Sequence, residues 1–358
     1  MSNEIEYKDL IAFHPGSYVE EIVEELNITQ AEFAVRLGTT SKTISKIING
    51  EERISKDIAN KLAKLTGVSV QTWLNLQANY DAKLVEIENK MDNDEHEVCD
   101  LIDLSSLKNN SFIAKKRYSS IEKIQELRKL LNISNLARLS EFNSSVSYRR
   151  AKNINDKSIV NSNVMLELAM NEARNKTSNK YSRTKLEKIL PDIKRMNTED
   201  PNIFYPDLTK KLLDCGIVLV ALPIIKGAGL NGATKKFKNG SVLLMITDRN
   251  KGSDIFWFSL VHELGHIYYE DFYSNLEGDE EYSRNEERAD EFAANFFIPS
   301  DKYDYFVANR VFTEQSITDF AKQLGIHPGI VVGRLQRENL IEYYDFNNLK
   351  EKYRISIT

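Results

Sequence analysis

Between residues 30 and 48, apolar side chains return at helical spacing on both sides of a glycine: Phe33, Ala34 and Leu37 before Gly38, then Ile44, Ile47 and Ile48 after it. The pattern predicts two short helices, Gln30 to Leu37 and Ser41 to about Ile48, sharing one buried side. The other side of the second helix shows Ser41, Lys42, Thr43, Ser45 and Lys46, short polar and basic groups that suit a DNA major groove. Gln30, at the start of the first helix, is placed to contact a phosphate or to brace the second helix. Residues 81–115 lose this regularity and are charge-rich, which predicts a helix leaving the first domain and then a linker. Helical periodicity resumes in 121–131 and 164–173, with the basic run Tyr148-Arg-Arg-Ala-Lys-Asn between them.

The period changes at Gly216. The run Ile-Val-Leu-Val-Ala-Leu up to Pro223 is apolar and β-branched, the pattern of a buried strand. The glycine-rich stretch 226–234 lacks the Gly-Lys-Ser/Thr ending of a phosphate loop and predicts a tight loop between strands. Asn239-Gly240 then separates 235–238 from the apolar run 241–247, as a hairpin turn does. Residues 316–336 read as two short helices joined through 325–329. The expected fold class is mainly α with a small β-sheet (α+β), in three parts: a helical domain over 1–80, a linker and helical connector over 81–200, and a third domain over 201–358.

Charge and composition narrow the setting. Residues 30–65 carry seven Lys/Arg against four acids, a net of +3, while 1–29 carry one Lys against seven acids, a net of −6. One such domain binds DNA weakly alone, and a homodimer on a palindrome would compensate. The overall net charge of −5 argues against a general nucleic-acid coat but not against one reading helix. The hydrophobic fraction of 41% is too broken up for a membrane span, and the N-terminus has no basic stretch followed by an apolar one. Cys99 and Cys215 match no Cys-x-x-Cys spacing, so the expected location is the reducing cytoplasm. His96 and Cys99 at three-residue spacing read as part of a solvated linker.

The sharpest chemistry lies in His262-Glu263-Leu-Gly-His266. Residues four apart on a helix share a face, so the two imidazoles can converge on one metal ion, and Glu263 can reach a metal-bound water as general base. Catalytic zinc takes three protein ligands. A further Gly-x-x-His just downstream is absent, since Tyr269 to Phe272 stand there. Glu286 lies 20 residues after His266, room for a turn and a second, antiparallel helix. Asp290, one helical turn on, suits a hydrogen bond from the outer nitrogen of a ligand histidine. By spacing alone Glu286 and Glu287 read equally well as the solvated start of a helix, and Glu270 and Glu287 are rival ligands.

The run Asn285-Glu286-x-x-Ala289-Asp290 after His-Glu-x-x-His resembles the gluzincins, the thermolysin-type zinc peptidases. The wider segment from Glu286 through Ala-Asp-x-Phe-Ala-Ala-Asn-Phe-Phe-Ile to Pro299 is similar to the ImmA/IrrE metallopeptidases, and 316–336 looks like that family's C-terminal segment. The resemblance implies a gluzincin-like domain with Zn2+ on His262, His266 and Glu286, Glu263 as the catalytic base and Asp290 bracing a ligand. It also implies that the strand before the zinc helix pairs with substrate backbone, which points to 241–247 as the docking strand. It leaves the oxyanion-stabilising group open among Tyr268, Tyr269, Tyr273 and Tyr282, with His327 read rather as a helix cap or surface residue. The N-terminal pattern, with His14-Pro-Gly before it and Thr72-Trp-Leu-Asn-Leu-Gln after it, resembles the lambda-repressor-like (XRE) helix-turn-helix and is closest to HigA-type antitoxins.

The resulting expectation is a regulatory zinc endopeptidase joined to a domain that binds double-stranded DNA. Its protein substrate would be a helix-turn-helix repressor or antitoxin-type regulator, or it would control its own operon. The competing expectation is an antitoxin-like regulator whose zinc domain senses or binds a partner without cutting. A toxin held by 81–200 is a further candidate partner.

Overall fold

Thr29 and Thr40 start the two helices that the N-terminal pattern predicts. Each side-chain oxygen accepts a hydrogen bond from the backbone N–H three residues on, at Glu32 and Thr43, which satisfies a donor that the helix itself leaves free. Between them Gly38 ends the first helix in the left-handed region at φ 70°, where a side chain is disfavoured. In the computed structural model, which describes residues 4–140, 155–272 and 279–356, the chain divides into two compact units, Met1–Glu95 and His96–Thr358. The basic run 148–153 lies outside the described residues.

The first unit opens with an antiparallel hairpin, β1 (Glu4–Tyr7) and β2 (Leu10–Phe13). Helices α1 (Gly16–Glu25), α2 (Gln30–Leu37), α3 (Ser41–Ile48) and α4 (Lys56–Thr66) follow, and then α5 (Val70–Leu101). Phe33, Ala34, Leu37, Ile44, Ile47 and Ile48 are buried together with Val19, Leu62 and Trp73. Helices α1 and α3 touch backbone to backbone, since a Cβ on Gly16 would lie 1.9 Å from the carbonyl oxygen of Ile47.

The helix expected to leave the first domain is the end of α5, and the residues expected to form a linker after it belong to the second unit instead. Helix α5 runs on to Leu101, and Val98, Cys99 and Ile102 are buried in the core of the second unit while His96 is exposed. After α6 (Leu104–Asn109) and α7 (Ser120–Leu131) comes α8 (Asp156–Ala173). Next are α9 (Arg183–Met196), α10 (Pro201–Asp214), β3 (Ile217–Leu222), β4 (Gly232–Lys236) and β5 (Val242–Thr247). The chain closes with α11 (Ser253–Tyr269), α12 (Asp279–Phe297), α13 (Ser300–Ala308), α14 (Glu314–Leu324) and α15 (Pro328–Arg337). Nor do the described residues of 118–200 stand apart as a connector. Successive side chains of a strand point to opposite faces, so the sheet has two apolar faces and needs cover on both. Val218, Val220, Leu243 and Met245 pack with α7 and α8; Ile217, Leu219, Val242, Leu244 and Ile246 pack with α9, α10 and α11.

The sheet order is β3-β5-β4, with β3 parallel and β4 antiparallel to β5. The Asn239-Gly240 turn forms as expected, with Gly240 at φ 88°. The expected docking strand is corrected: β5 is the central strand, every residue of it is buried, and its backbone is committed to neighbours on both sides. The edge beside α11 belongs to β4. Among the described residues no helix is long and apolar enough to cross a membrane.

Trp257, fully buried against Phe204 at 4.7 Å between ring centroids, anchors α11 in this core. Trp257→Ala is expected to cost about 3–5 kcal/mol, read as a lower urea midpoint of the second unit.

Candidate metal centre

Helix α11 begins after Gly252 and ends where Glu270 turns left-handed at φ 58°. His262 and His266 therefore fall one turn apart on its inner side. The chain then returns as α12, whose approach is set by Gly265 inside the pentapeptide: a Cβ there would lie 3.2 Å from Ala289 Cα and 3.3 Å from the Phe292 ring. Without that Cβ the two helices come close enough for Glu286 to meet both rings. Nε2 of His262 lies 3.1 Å from Nε2 of His266, and 3.6 Å from a Glu286 oxygen. Nε2 of His266 is 3.4 Å from the other Glu286 oxygen. Donors on a tetrahedral zinc with bonds of about 2.0–2.1 Å are separated by roughly 3.3–3.4 Å, and here one donor atom from each of the three residues lies within 4.8 Å of the others, near enough to share one ion.

The rivals fall elsewhere. Glu270 caps the end of α11 and pairs with Lys236 at 3.1 Å, and Glu287 faces solvent. Asp290 Oδ1 stands 2.8 Å from His262 Nδ1, the outer nitrogen of that ring. Its other oxygen meets Arg337 at 2.7 Å, and the Arg337 guanidinium lies over the Phe258 ring. Arg337 was missed in the sequence because it lies 47 residues from Asp290 and belongs to no local pattern.

The donor chemistry fits a cation as well as the geometry does. His266, Glu286 and Glu263 are 0%, 2% and 4% exposed. Burial opposes charging His262, yet hydrogen bonds to Asp290 and Glu286 and the charges of Glu263 and Glu286 outweigh it and raise its pKa to about 10. Burial also opposes ionising Glu286, but hydrogen bonds and charge from the two histidines hold it well below the usual carboxylate range. His266 is lowered, first by burial and then by the neighbouring His262 charge. Burial, with Glu286 adding, pushes Glu263 up to about 8 against the pull of His262. The cluster thus draws positive charge to itself, and a divalent cation would supply it while leaving both rings neutral as ligands. Glu263 Oε2 is buried without a hydrogen-bond partner among the described residues.

His262, Glu263, Glu286 and Asp290 line a cavity of about 1090 Å³, together with Gly232, Phe258 and Arg337. Gly232 on β4 abuts Glu263 so closely that a Cβ would lie 2.7 Å from its Cγ. Tyr268 donates to Glu187 at 3.1 Å, and Tyr269 stacks with Arg288. Tyr282 is buried, while Tyr273 lies outside the described residues. His327 caps α15 by accepting from the Gly329 N–H at 3.1 Å, in line with its reading as a cap. None of Tyr268, Tyr269, Tyr282 and His327 lines this cavity.

In the first unit, Ser41 and Lys42 are exposed, and Thr43, Ser45, Lys46 and Gln30 are partly exposed. All five polar residues of α3 lie away from its buried Ile44, Ile47 and Ile48.

A helix-turn-helix unit and a two-helix His-Glu-x-x-His site define a DNA-binding regulator fused to a peptidase-like domain. Comparison with known proteins agrees: residues 19–73 match the helix-turn-helix family, and 222–336 match Peptidase M78, the IrrE N-terminal-like domain. Through its first unit the chain belongs to the HTH-type transcriptional regulators. It is 35% identical over 78 residues to the HTH-type transcriptional regulator YddM of Escherichia coli, covering 22% of this chain and 81% of that protein. It is 30% identical to virulence-associated protein I of Dichelobacter nodosus, over 22% of this chain and 73% of that one. An addiction module antidote of the HigA family from Coxiella burnetii, known in three dimensions, is 32% identical over 23% of this chain and 92% of its own, with a TM-score of 0.21.

Two variants test the centre. Asp290→Asn is expected to weaken zinc binding about 10–100-fold, measured by competition with a chelating dye. Gly265→Val, which wedges α11 from α12, is expected to abolish stoichiometric zinc binding while far-UV circular dichroism stays native.

Proposed function

We propose that the second unit is a zinc-dependent endopeptidase and that the first unit directs it to regulatory targets in the cytoplasm by binding double-stranded DNA. The observation that carries this reading is the cluster of His262, His266 and Glu286, with one donor atom of each within 4.8 Å of the others, and beside it the buried Glu263, whose Oε2 has no hydrogen-bond partner among the described residues and which lines the same cavity. His262, His266 and Glu286 would hold the ion, which when bound supplies polarisation of a water and of the scissile carbonyl. Asp290 keeps the His262 ring in the tautomer whose Nε2 faces inward, and Arg337 fixes Asp290. Glu263 accepts the proton of the attacking water and passes it to the leaving amine.

The substrate binds along β4. In an antiparallel pair the backbone groups of alternate residues point away from the partner. Asn231 accepts from the Thr247 N–H, so the N–H and C=O of Gly232 and Thr234 face the open edge. An extended peptide added there runs past Glu263, because Gly232 touches that side chain. The relatives of the first unit are transcription regulators, which favours a helix-turn-helix repressor or antitoxin-type protein as the target over general digestion.

Glu263→Gln is expected to retain one zinc and lower cleavage of a target repressor at least about 100-fold, followed by gel and mass spectrometry. Unchanged regulation in cells carrying this variant would instead favour a domain that binds a partner without cutting. For the first unit, Lys42→Ala with Lys46→Ala is expected to weaken operator binding and flatten the plot of log affinity against log salt by about 2, measured by fluorescence anisotropy.

A further inference from the structure

The cavity lined by Glu263 continues along α11 toward the start of that helix. Ile255 and Phe258 of α11, Ala294 and Ile298 of α12 and Ile330 of α15 give this stretch apolar walls. Asp254, also part of the lining, is 7% exposed. Its Oδ2 meets Lys350 Nζ at 2.7 Å, and Nζ also donates to Gln336 Oε1 at 2.6 Å. Gln336 is buried and donates in turn to the Asp345 carbonyl at 3.0 Å. The carboxylate is therefore fixed through one oxygen. The other, Oδ1, is buried and has no hydrogen-bond partner among the described residues. Glycines stand against both oxygens: a Cβ on Gly252 would lie 2.5 Å from Oδ1, and one on Gly333 2.6 Å from Oδ2. An ionised oxygen withdrawn from water stays costly until a donor reaches it.

We propose that this stretch is a side-chain subsite for a lysine or arginine of the target segment, with Asp254 as the residue that selects the charge. The subsite rests on the reading of β4 as the docking edge and of Glu263 as the base. Three features define its occupant. Apolar walls that lead to a carboxylate match a side chain with a long hydrocarbon stem and a cationic head. Oδ1 lacks a donor, and an ammonium or guanidinium brings a donor and the opposite charge together. Finally, carboxylates outnumber Lys and Arg among the side chains of the lining, which disfavours an anion. Asp254 precedes Glu263 by nine residues, about 13 Å at the helical rise. An extended chain covers that distance in about four residues, and the reach of a long side chain shortens it. The basic residue therefore lies roughly two to four positions from the bond that is cut.

The test is binding rather than turnover. Fluorescence anisotropy follows two labelled nonapeptides of Ala, Ser and Thr that differ only at the central residue, lysine in one and norleucine in the other. The protein is the full-length, zinc-loaded Glu263→Gln chain, so that cleavage does not deplete the peptides. It is expected to bind the lysine peptide at least about 10-fold more tightly than the norleucine peptide. Asp254→Asn in the same background is expected to hold the norleucine peptide as before and to lose the preference for lysine. Ala294→Phe, which fills the passage without changing its charge, is expected to weaken binding of the lysine peptide at least about 10-fold. Should Asp254→Asn lose its native circular dichroism, Ala294→Phe decides alone. Equal affinity for the two peptides, a preference that survives a folded Asp254→Asn, or lysine-peptide binding that survives Ala294→Phe overturns the subsite and leaves the docking edge standing. If neither peptide binds, the docking reading falls and the subsite with it.

Discussion

Two carboxylates and two imidazoles share a nearly dry volume in the second unit, and the need to neutralise them governs that unit's design. An ionised carboxylate removed from water costs several kcal/mol unless opposite charge and hydrogen bonds compensate it. Glu286 obtains that compensation from both rings, and His262 becomes the cation that balances the acids around it. A zinc ion would perform the same balancing with two charges at the centre of the triangle, releasing the proton from His262. Were an ion bound there, its uptake would be coupled to proton release. Asp290 and Arg337 extend the alternation of charge outward to partly solvated positions, where the remaining imbalance is screened.

Close approach is what makes the cluster possible, and small residues supply it. Gly265 lets α12 reach α11, and Gly232 lets β4 reach Glu263. The two glycines let α12 and an edge strand approach the same helical turn of α11. Helix α8 covers the second face of the sheet. Among the described residues of α8, Val164, Met165, Leu166 and Ala169 are wholly buried. A three-stranded sheet with one bare face would leave Val218, Val220, Leu243 and Met245 in water.

The sequence disclosed the parts whose chemistry is local. Both helices of the helix-turn-helix are bounded by their own caps and turn glycine, so their ends were readable to the residue. The His-Glu-x-x-His run states a helical spacing in five residues, whereas spacing alone leaves Glu286 level with a solvated helix start, and only the resemblance of the run around it singles it out. What escaped was set by tertiary partners. The pairing order of β3, β4 and β5 depends on which strand lies between the others, and the uniform apolar pattern of β5 fits an edge or a centre equally well until β3 is placed beside it. The role of α8 depends on a face of the sheet formed by residues some 50 positions later. Arg337 reaches Asp290 from a different helix, and nothing near either residue signals the pair.

On the reading of β4 as the docking edge, the backbone also constrains what can be cut. A peptide must be extended over several residues to hydrogen-bond with Gly232 and Thr234, and a residue held in a helix has already used its N–H and C=O. The helices α2, α3 and α4, capped at their starts and buried on one side, offer no such segment while folded. On that reading a helical segment must first unfold locally before it can pair with the edge, so a target would be a protein that offers an extended or readily unfolded segment.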